Sequence, residues 1–309
     1  MSGFTDSIAG KKRKSSIQIG SLIYDGVICF ILLLVLIACF YPFWYILILS
    51  LNDATDSLKG GLFLFPRVFT IDSYISVVNN GEFLHAAWIS LARTVIGTLY
   101  SLFFTTLLAY GMSKKDLVGA KAISVFFIIT MYFGGGLIPY YMVLKAIGLI
   151  DTFWVYIIPG AISVYNMILI RIYIESLPAE MEESAKLDGA NEITILFRII
   201  IPLCMPVLAT VCLFFAVGQW NSWFDTNLYT YSKKLKTLQF LLVQILNNYD
   251  LGSMQSQAEL LAKATERKTT SSDSVRMATT MVATLPIILV YPFLQKYFVK
   301  GIMIGAVKS

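Results

Sequence analysis

The sequence predicts an all-α integral membrane protein that crosses the bilayer six times. Three observations carry this. The chain is 57% hydrophobic and only 14% charged, against about 25% charged in an average soluble domain. Its mean hydropathy is +0.72. Its apolar residues gather in runs of roughly 20, the length a helix needs to cross a hydrocarbon core of about 30 Å. Two soluble domains, which 309 residues would otherwise allow, are thereby excluded.

The first run, 26–51, holds no charged residue, and Pro42 within it is tolerable where neighbouring helices satisfy the carbonyl it frees. The second, 94–112, follows Arg93 and stops at Ser113-Lys114-Lys115-Asp116. The third, 122–144, lies between Lys121 and Lys145, and the fourth, 153–170, exits through Arg171. Pro202 opens the fifth, 202–219, and the sixth, 277–294, ends before Lys296 and Lys300. The predicted organisation is a tail over 1–22, a membrane domain over 23–300 and a second tail over 301–309.

Orientation follows from basic residues, which favour the cytoplasmic side. Lys11, Lys12, Arg13 and Lys14 precede span one, and Lys114, Lys115, Lys121, Arg171, Lys186, Arg198, Lys296, Lys300 and Lys308 fall on the same side if that end is cytoplasmic. Both ends are therefore expected inside. These boundary residues account for the net charge of +5 without nucleic acid. No cleavable signal peptide is expected, because the first apolar run is too long for one. The opposite side receives two long connections, 52–93 and 220–276. The second contains an apolar patch, Leu238 to Leu246, that reads as a short outer helix, and a polar stretch, Glu266 to Asp273, that reads as a loop.

Chemistry is sparse. One histidine, His85, cannot build a site that needs two, and no His-Glu-x-x-His or Gly-x-x-x-x-Gly-Lys-Ser/Thr motif is present. Cys29, Cys39, Cys204 and Cys212 lie in apolar runs without metal-ligand spacing and read as small hydrophobes. An intramembrane enzyme is disfavoured accordingly. A secondary transporter would want inverted repeats and paired charges within its spans, whereas these spans are nearly free of charge.

The informative stretch is 176–202, SLPAEMEESAKLDGANEITILFRIIIP. Pro178 suits the start of a helix, and Glu180, Glu182 and Glu183 favour its positive end. Glu182 and Lys186 are spaced for a surface pair. Gly189 fits the left-handed position that stops a helix, and Asn191 can cap a second one running through Phe197 and Arg198 into Pro202. A helix, a glycine turn and a second helix on the basic side are predicted. They could lie on lipid headgroups or serve as a handle for a soluble partner.

Glu183-Ser184-Ala185-x-x-Asp188-Gly189-Ala190, followed by Phe197, Ile201 and Pro202, resembles the EAA loop of ATP-binding-cassette importer permeases. The one departure is Ser184, where alanine is usual, a small-for-small change. Ala283-Thr284-Leu285-Pro286-Ile287, Gln295 to Gly301 and Gly305 to Lys308 resemble the last span and tail of maltose-type sugar permeases, and Trp220-Asn221 also fits that group. The long outer segment is more like the branch that handles oligosaccharides and polysaccharide fragments.

The resemblance implies a type I importer fold, in which 176–202 forms a coupling helix seated in an ATPase cleft. It implies a plasma-membrane subunit paired with a second homologous permease, two ATPase subunits that bind ATP and Mg, and an extracytoplasmic binding protein delivering an oligosaccharide. No cofactor is expected on this chain. Glu183 is the expected charged contact with the ATPase, with Gly189 setting the turn and Ala185 and Ala190 allowing close approach. A permease for a peptide or other non-sugar solute is the alternative.

Candidate path residues are fewer. Phe133 to Tyr141 carries Gly134, Gly135, Gly136 and Pro139 and reads either as a bend beside the path, with Tyr140 and Tyr141 available to sugar hydroxyls, or as close helix packing. Trp220 and Trp223, with Gln219 and Asn221, could hold a sugar or anchor the span at the interface. Asn166 could line the path or bond a neighbouring helix. In the maltose type the paired permease makes most of the sugar contacts.

Overall fold

The computed structural model describes residues 19–57, 59–79, 81–254 and 272–306. Regular structure there is helical, and the β pairing among the described residues is an isolated bridge between Asn52 and Phe69. Helix α1 (Ile19–Ser50) exposes every described side chain from Tyr24 to Phe43 and lies along the final helix, α14 (Ser272–Ala306). So apolar a surface suits lipid or another membrane subunit. Helices α2 (Ala54–Ser57) and α3 (Asp72–Asn79) fill the first long connection. Asn52 ties this connection together: its side chain donates to Asp56 and Ser57 and accepts from the backbone N–H groups of Arg67 and Val68.

The axis of the bundle is α4 (Gly81–Ser113), which packs against α7 (Val164–Glu175) and α11 (Met205–Asn221). It begins well before Thr94, so Arg93 is an interior residue of a helix and not its boundary. Its buried face is small and hydroxylic: Ser90, Gly97, Thr98, Ser101, Thr105 and Ala109. Small residues allow neighbouring backbones to approach closely.

Three predicted spans are interrupted. Helix α5 (Ala120–Tyr132) and α6 (Leu137–Ala146) meet at 113° across Phe133 to Gly136. Gly136 has φ +84°, a conformation that favours glycine. No heavy atom of the described residues lies within 4 Å of where a Cβ on Gly134 or Gly135 would sit, so neither glycine packs closely against another part of this chain. The predicted fourth span divides into two 3₁₀ turns (Phe153–Tyr156 and Ile158–Gly160) and α7, bent by 46°; α7 continues past Arg171, which pairs with Glu175. Side chains of α4 satisfy the irregular backbone at that bend. Ser101 donates to the Gly160 carbonyl and Thr105 to that of Ala161, while Ser163 N–H donates back to Thr105. Buried irregular backbone needs such partners at membrane depth.

The predicted fifth span bends by 83° between Leu203 and Met205. Pro202 cannot donate to the carbonyl four residues back, and the turn before it, Leu196–Ile200, re-spaces into a π turn leading into α10 (Ile201–Leu203). Beyond α11 lie α12 (Phe224–Tyr229), a 3₁₀ turn (Lys233–Leu235) and α13 (Leu238–Met254), which contains the predicted outer helix.

Among the described residues two helices, α4 and the Tyr24–Ser50 part of α1, are long and apolar enough to cross a membrane unaided, and up to five crossings result if each bent pair is one. Helix α14 covers the stretch predicted as the sixth. Lys11 to Lys14, Glu266 to Ser271 and Lys308 lie outside the described residues. Cys204 is buried, Cys212 half-buried, Cys29 and Cys39 exposed; all four are free thiols.

Candidate functional sites: a projecting helix pair and a polar cavity

Between α7 and the bend at Cys204 stand α8 (Glu180–Leu187) and α9 (Glu192–Ile195). Gly189 has φ +81°, Gly189 N–H donates to the Lys186 carbonyl at 3.0 Å, and Ala190 N–H donates to that of Ala185 at 3.0 Å. This is the Schellman stop that satisfies the last carbonyls of a helix. Asn191 then caps α9, its side chain accepting from Thr194 N–H at 2.8 Å.

Ala185 turns into the core beside Ile174 and Ile195, with Ala190 packed on the same cluster. Glu183, Ser184 and Asp188 are exposed, as are Phe197 and Pro202. Glu180, Glu183 and Leu187 share a face at helical spacing. Glu183 makes no ion pair among the described residues, and Leu187 and Ile193 are 89% and 69% exposed. Large exposed apolar side chains beside an unpaired carboxylate are what a protein partner can cover.

The pair is clamped to the end of α4. Lys114 bridges Glu182 and Glu192, the latter at 2.7 Å. Lys186 reaches the same two carboxylates, at 3.0 and 3.1 Å. Tyr110 donates to Glu192 at 2.5 Å, with the Lys114 ammonium 4.0 Å above its ring centroid. Hydrogen bonds from Lys114 and Tyr110 hold the Glu192 carboxyl down at about 2. Burial alone would raise Glu182, but bonds from Lys114 and Lys186 outweigh it and the net shift is downward. Lys186 is raised by its bonds to both glutamates.

A second constellation lies nearer the Gly81 end of α4. Arg93, 2% exposed, makes five hydrogen bonds: two to the Gln219 side-chain carbonyl, two to the Asp225 carboxylate and one to the Ser222 carbonyl. A guanidinium has five N–H donors, so all are committed. The closest contact, Nη2 to Asp225 Oδ2, is 2.6 Å, and the guanidinium also stacks 4.4 Å from the centroid of the Tyr156 ring. Gln219 donates to the Tyr156 carbonyl at 3.2 Å. Its amide lies so close to α4 that a Cβ at Gly97 would stand 2.8 Å from Nε2.

These groups form one wall of a cavity of about 500 Å³, completed by Tyr140, Tyr229, Gly160 and Phe214. Of the residues singled out in the sequence, Tyr140 and Gln219 line it. Tyr141 is turned to Tyr231, hydroxyl to hydroxyl at 2.6 Å. Asn166 is buried in α7, its Oδ1 unpartnered among the described residues. Trp220 points away, its indole N–H donating to the Ala283 carbonyl of α14 at 3.0 Å. Asn221 is exposed at the end of α11, and Trp223 packs edge-on against Phe224. Arg93, Tyr156, Asp225 and Tyr229 escaped the sequence reading. The available signal was one cation and one anion, each beside an apolar run, with opposite sign.

Residues 15–304 match the family described as the binding-protein-dependent transport system inner membrane component. Protein LplC of Bacillus subtilis (strain 168) is 40% identical over 268 residues, covering 87% of this chain and 89% of its own length. The polygalacturonan/rhamnogalacturonan transport system permease protein YtcP of the same bacterium is 35% identical over 287 residues, covering 93% and 99%. Among solved structures, a bacterial ABC transporter involved in the import of the acidic polysaccharide alginate superposes with TM-score 0.82 at 30% identity, covering 91% of this chain and 98% of that one.

Proposed function

The chain belongs to the family of binding-protein-dependent transport system inner membrane components, and from that premise we propose that it is one of two permease halves of an ATP-driven oligosaccharide importer. It is a multi-pass plasma-membrane protein of helical, type I permease fold. In this reading it crosses six times with both ends in the cytoplasm, beside a second homologous permease. Two ATPase subunits bind ATP and Mg, and an extracytoplasmic binding protein delivers the sugar. The chain itself performs no hydrolysis.

The observation that carries the reading is the α8–α9 pair, whose outer face is free and whose inner face is fastened to α4. ATPase closure presses on Glu183 and Leu187. The ion pairs of Lys114 pass that displacement to α4, and the bundle rocks between outward- and inward-facing states. Support for an oligosaccharide cargo comes from the named roles of YtcP and the alginate transporter, and from a cavity lined by tyrosines and the Gln219 amide.

The test is the purified complex carrying Glu183→Lys or Leu187→Asp. Membrane insertion is expected at normal levels, with binding-protein-stimulated ATP hydrolysis and uptake of labelled oligosaccharide both lost. Undiminished stimulation in both variants would remove the coupling assignment.

A further inference from the structure

We propose that this chain carries a saccharide subsite of its own, in the cavity between α6, α11 and α12, that grips a neutral sugar residue and turns away a uronate. The inference rests on the importer reading above and goes beyond it by assigning a ligand contact, and a charge preference, to this half.

The cavity volume of about 500 Å³ falls within the range of roughly 300–1,000 Å³ typical of small-molecule sites. Two aromatic faces meet there: the rings of Tyr140 and Tyr229 lie 6.1 Å apart and tilted by 56°. Apolar ring faces suit the C–H faces of a pyranose, and the phenol hydroxyls suit its polar edge. Neither hydroxyl has a hydrogen-bond partner among the described residues, although Tyr229 is only 7% exposed.

Charge decides the ligand class. The ion pair at the cavity wall is exposed unevenly, 2% for the Arg93 side chain and 21% for Asp225. The cation is behind and fully committed, so the edge offered to the cavity is the carboxylate. Asp225 Oδ1 accepts from Arg93 and from Thr226 N–H, while among the described residues Oδ2 accepts only from Arg93. Oδ2 therefore keeps a lone pair for one more donor. A sugar hydroxyl is such a donor, and its bond to a carboxylate is of the stronger, charge-assisted kind. A uronate carboxylate brings no donor and repels Asp225.

The test uses the complete transporter in lipid nanodiscs, without binding protein, and diazirine-bearing cello-, xylo- and arabinotetraose as photolabels. Label is expected on 137–146 and 222–231 of this chain. An excess of the matching unlabelled tetrasaccharide should remove it, and an excess of trigalacturonate should not. Tyr140→Ala removes an exposed ring outside the ion pair and should reduce labelling about tenfold, the loss expected of one good contact. Tyr140→Phe should keep part of it. Glu183→Lys should label as the wild type does. Label confined to the paired half or missing for all three sugars, labelling unchanged in Tyr140→Ala, or equal competition by trigalacturonate would overturn the subsite. Normal ATP stimulation in both Glu183→Lys and Leu187→Asp would instead sink the coupling reading and leave this one standing.

Discussion

Arg93 and Asp225 stand 132 residues apart in the chain and 2.6 Å apart in space, joining the middle of α4 to the first turn of α12. Removing one member of a buried pair strands the other and costs about 3–5 kcal/mol, whereas an apolar replacement of both is often neutral. Arg93→Met is accordingly expected to lower the thermal midpoint of the purified complex sharply. Arg93→Met with Asp225→Leu should recover most of the loss. Equal midpoints for the two variants would show that the pair is not a unit.

Gly97 of α4 faces the Gln219 amide of α11. Because an added Cβ would sit 2.8 Å from Nε2, Gly97→Val must push Gln219 off the guanidinium. Overpacking of this kind costs about 1–3 kcal/mol. Thermal unfolding of the variant should show that loss, and Gln219→Ala in the same background should relieve part of it.

At Gly189 the backbone is left-handed, and a side chain there costs about 1–2 kcal/mol. Gly189→Val should therefore insert and purify normally while the α8–α9 turn opens. The readout is stimulated ATP hydrolysis, expected to fall several-fold; full stimulation would mean that the turn geometry is immaterial.

The clamp around Lys114 has a defined pH window. A carboxylate whose folded pKa lies below its unfolded one stabilises above the unfolded value, and that stability is lost as pH falls through the folded value. For Glu192 the loss runs from 4.5 down to about 2, and Glu182 shifts in the same direction. Lys186, raised above 10.5, contributes fully below that pH and weakens only as pH climbs past it. Hydrogen exchange of 180–200, corrected for intrinsic rates, should be flat between pH 5 and 9 and accelerate below 4.5. Glu192→Gln should raise exchange throughout the flat range.

What was legible in the sequence was local. Pro178, Gly189 and Asn191 announced a helix, its stop and the next start, because each acts on backbone within a few residues of itself. The breaks after Tyr132, at Ala161 to Ser163 and at Cys204 were less so. An apolar run states its length, while the carbonyls freed at the second break are answered by Ser101 and Thr105, more than fifty residues away. Arg93 looked like the edge of a span for the same reason: the anion that lets it sit inside the helix arrives 132 residues later. Trp220 was placed with Gln219 by adjacency, yet successive residues on a helix point about 100° apart, and only packing on α14 tells which one looks inward.

Helix α4 is unbroken from Gly81 to Ser113, with the Lys114 clamp at one end and Arg93 about 30 Å away along it, at 1.5 Å per residue. In the proposed importer it would serve as a pushrod, keying motor and cargo chamber to one shaft so that neither changes phase without the other. A single residue inserted between Thr98 and Thr105 would leave both fittings intact and turn one about 100° against the other, yielding a machine with sound parts and no timing.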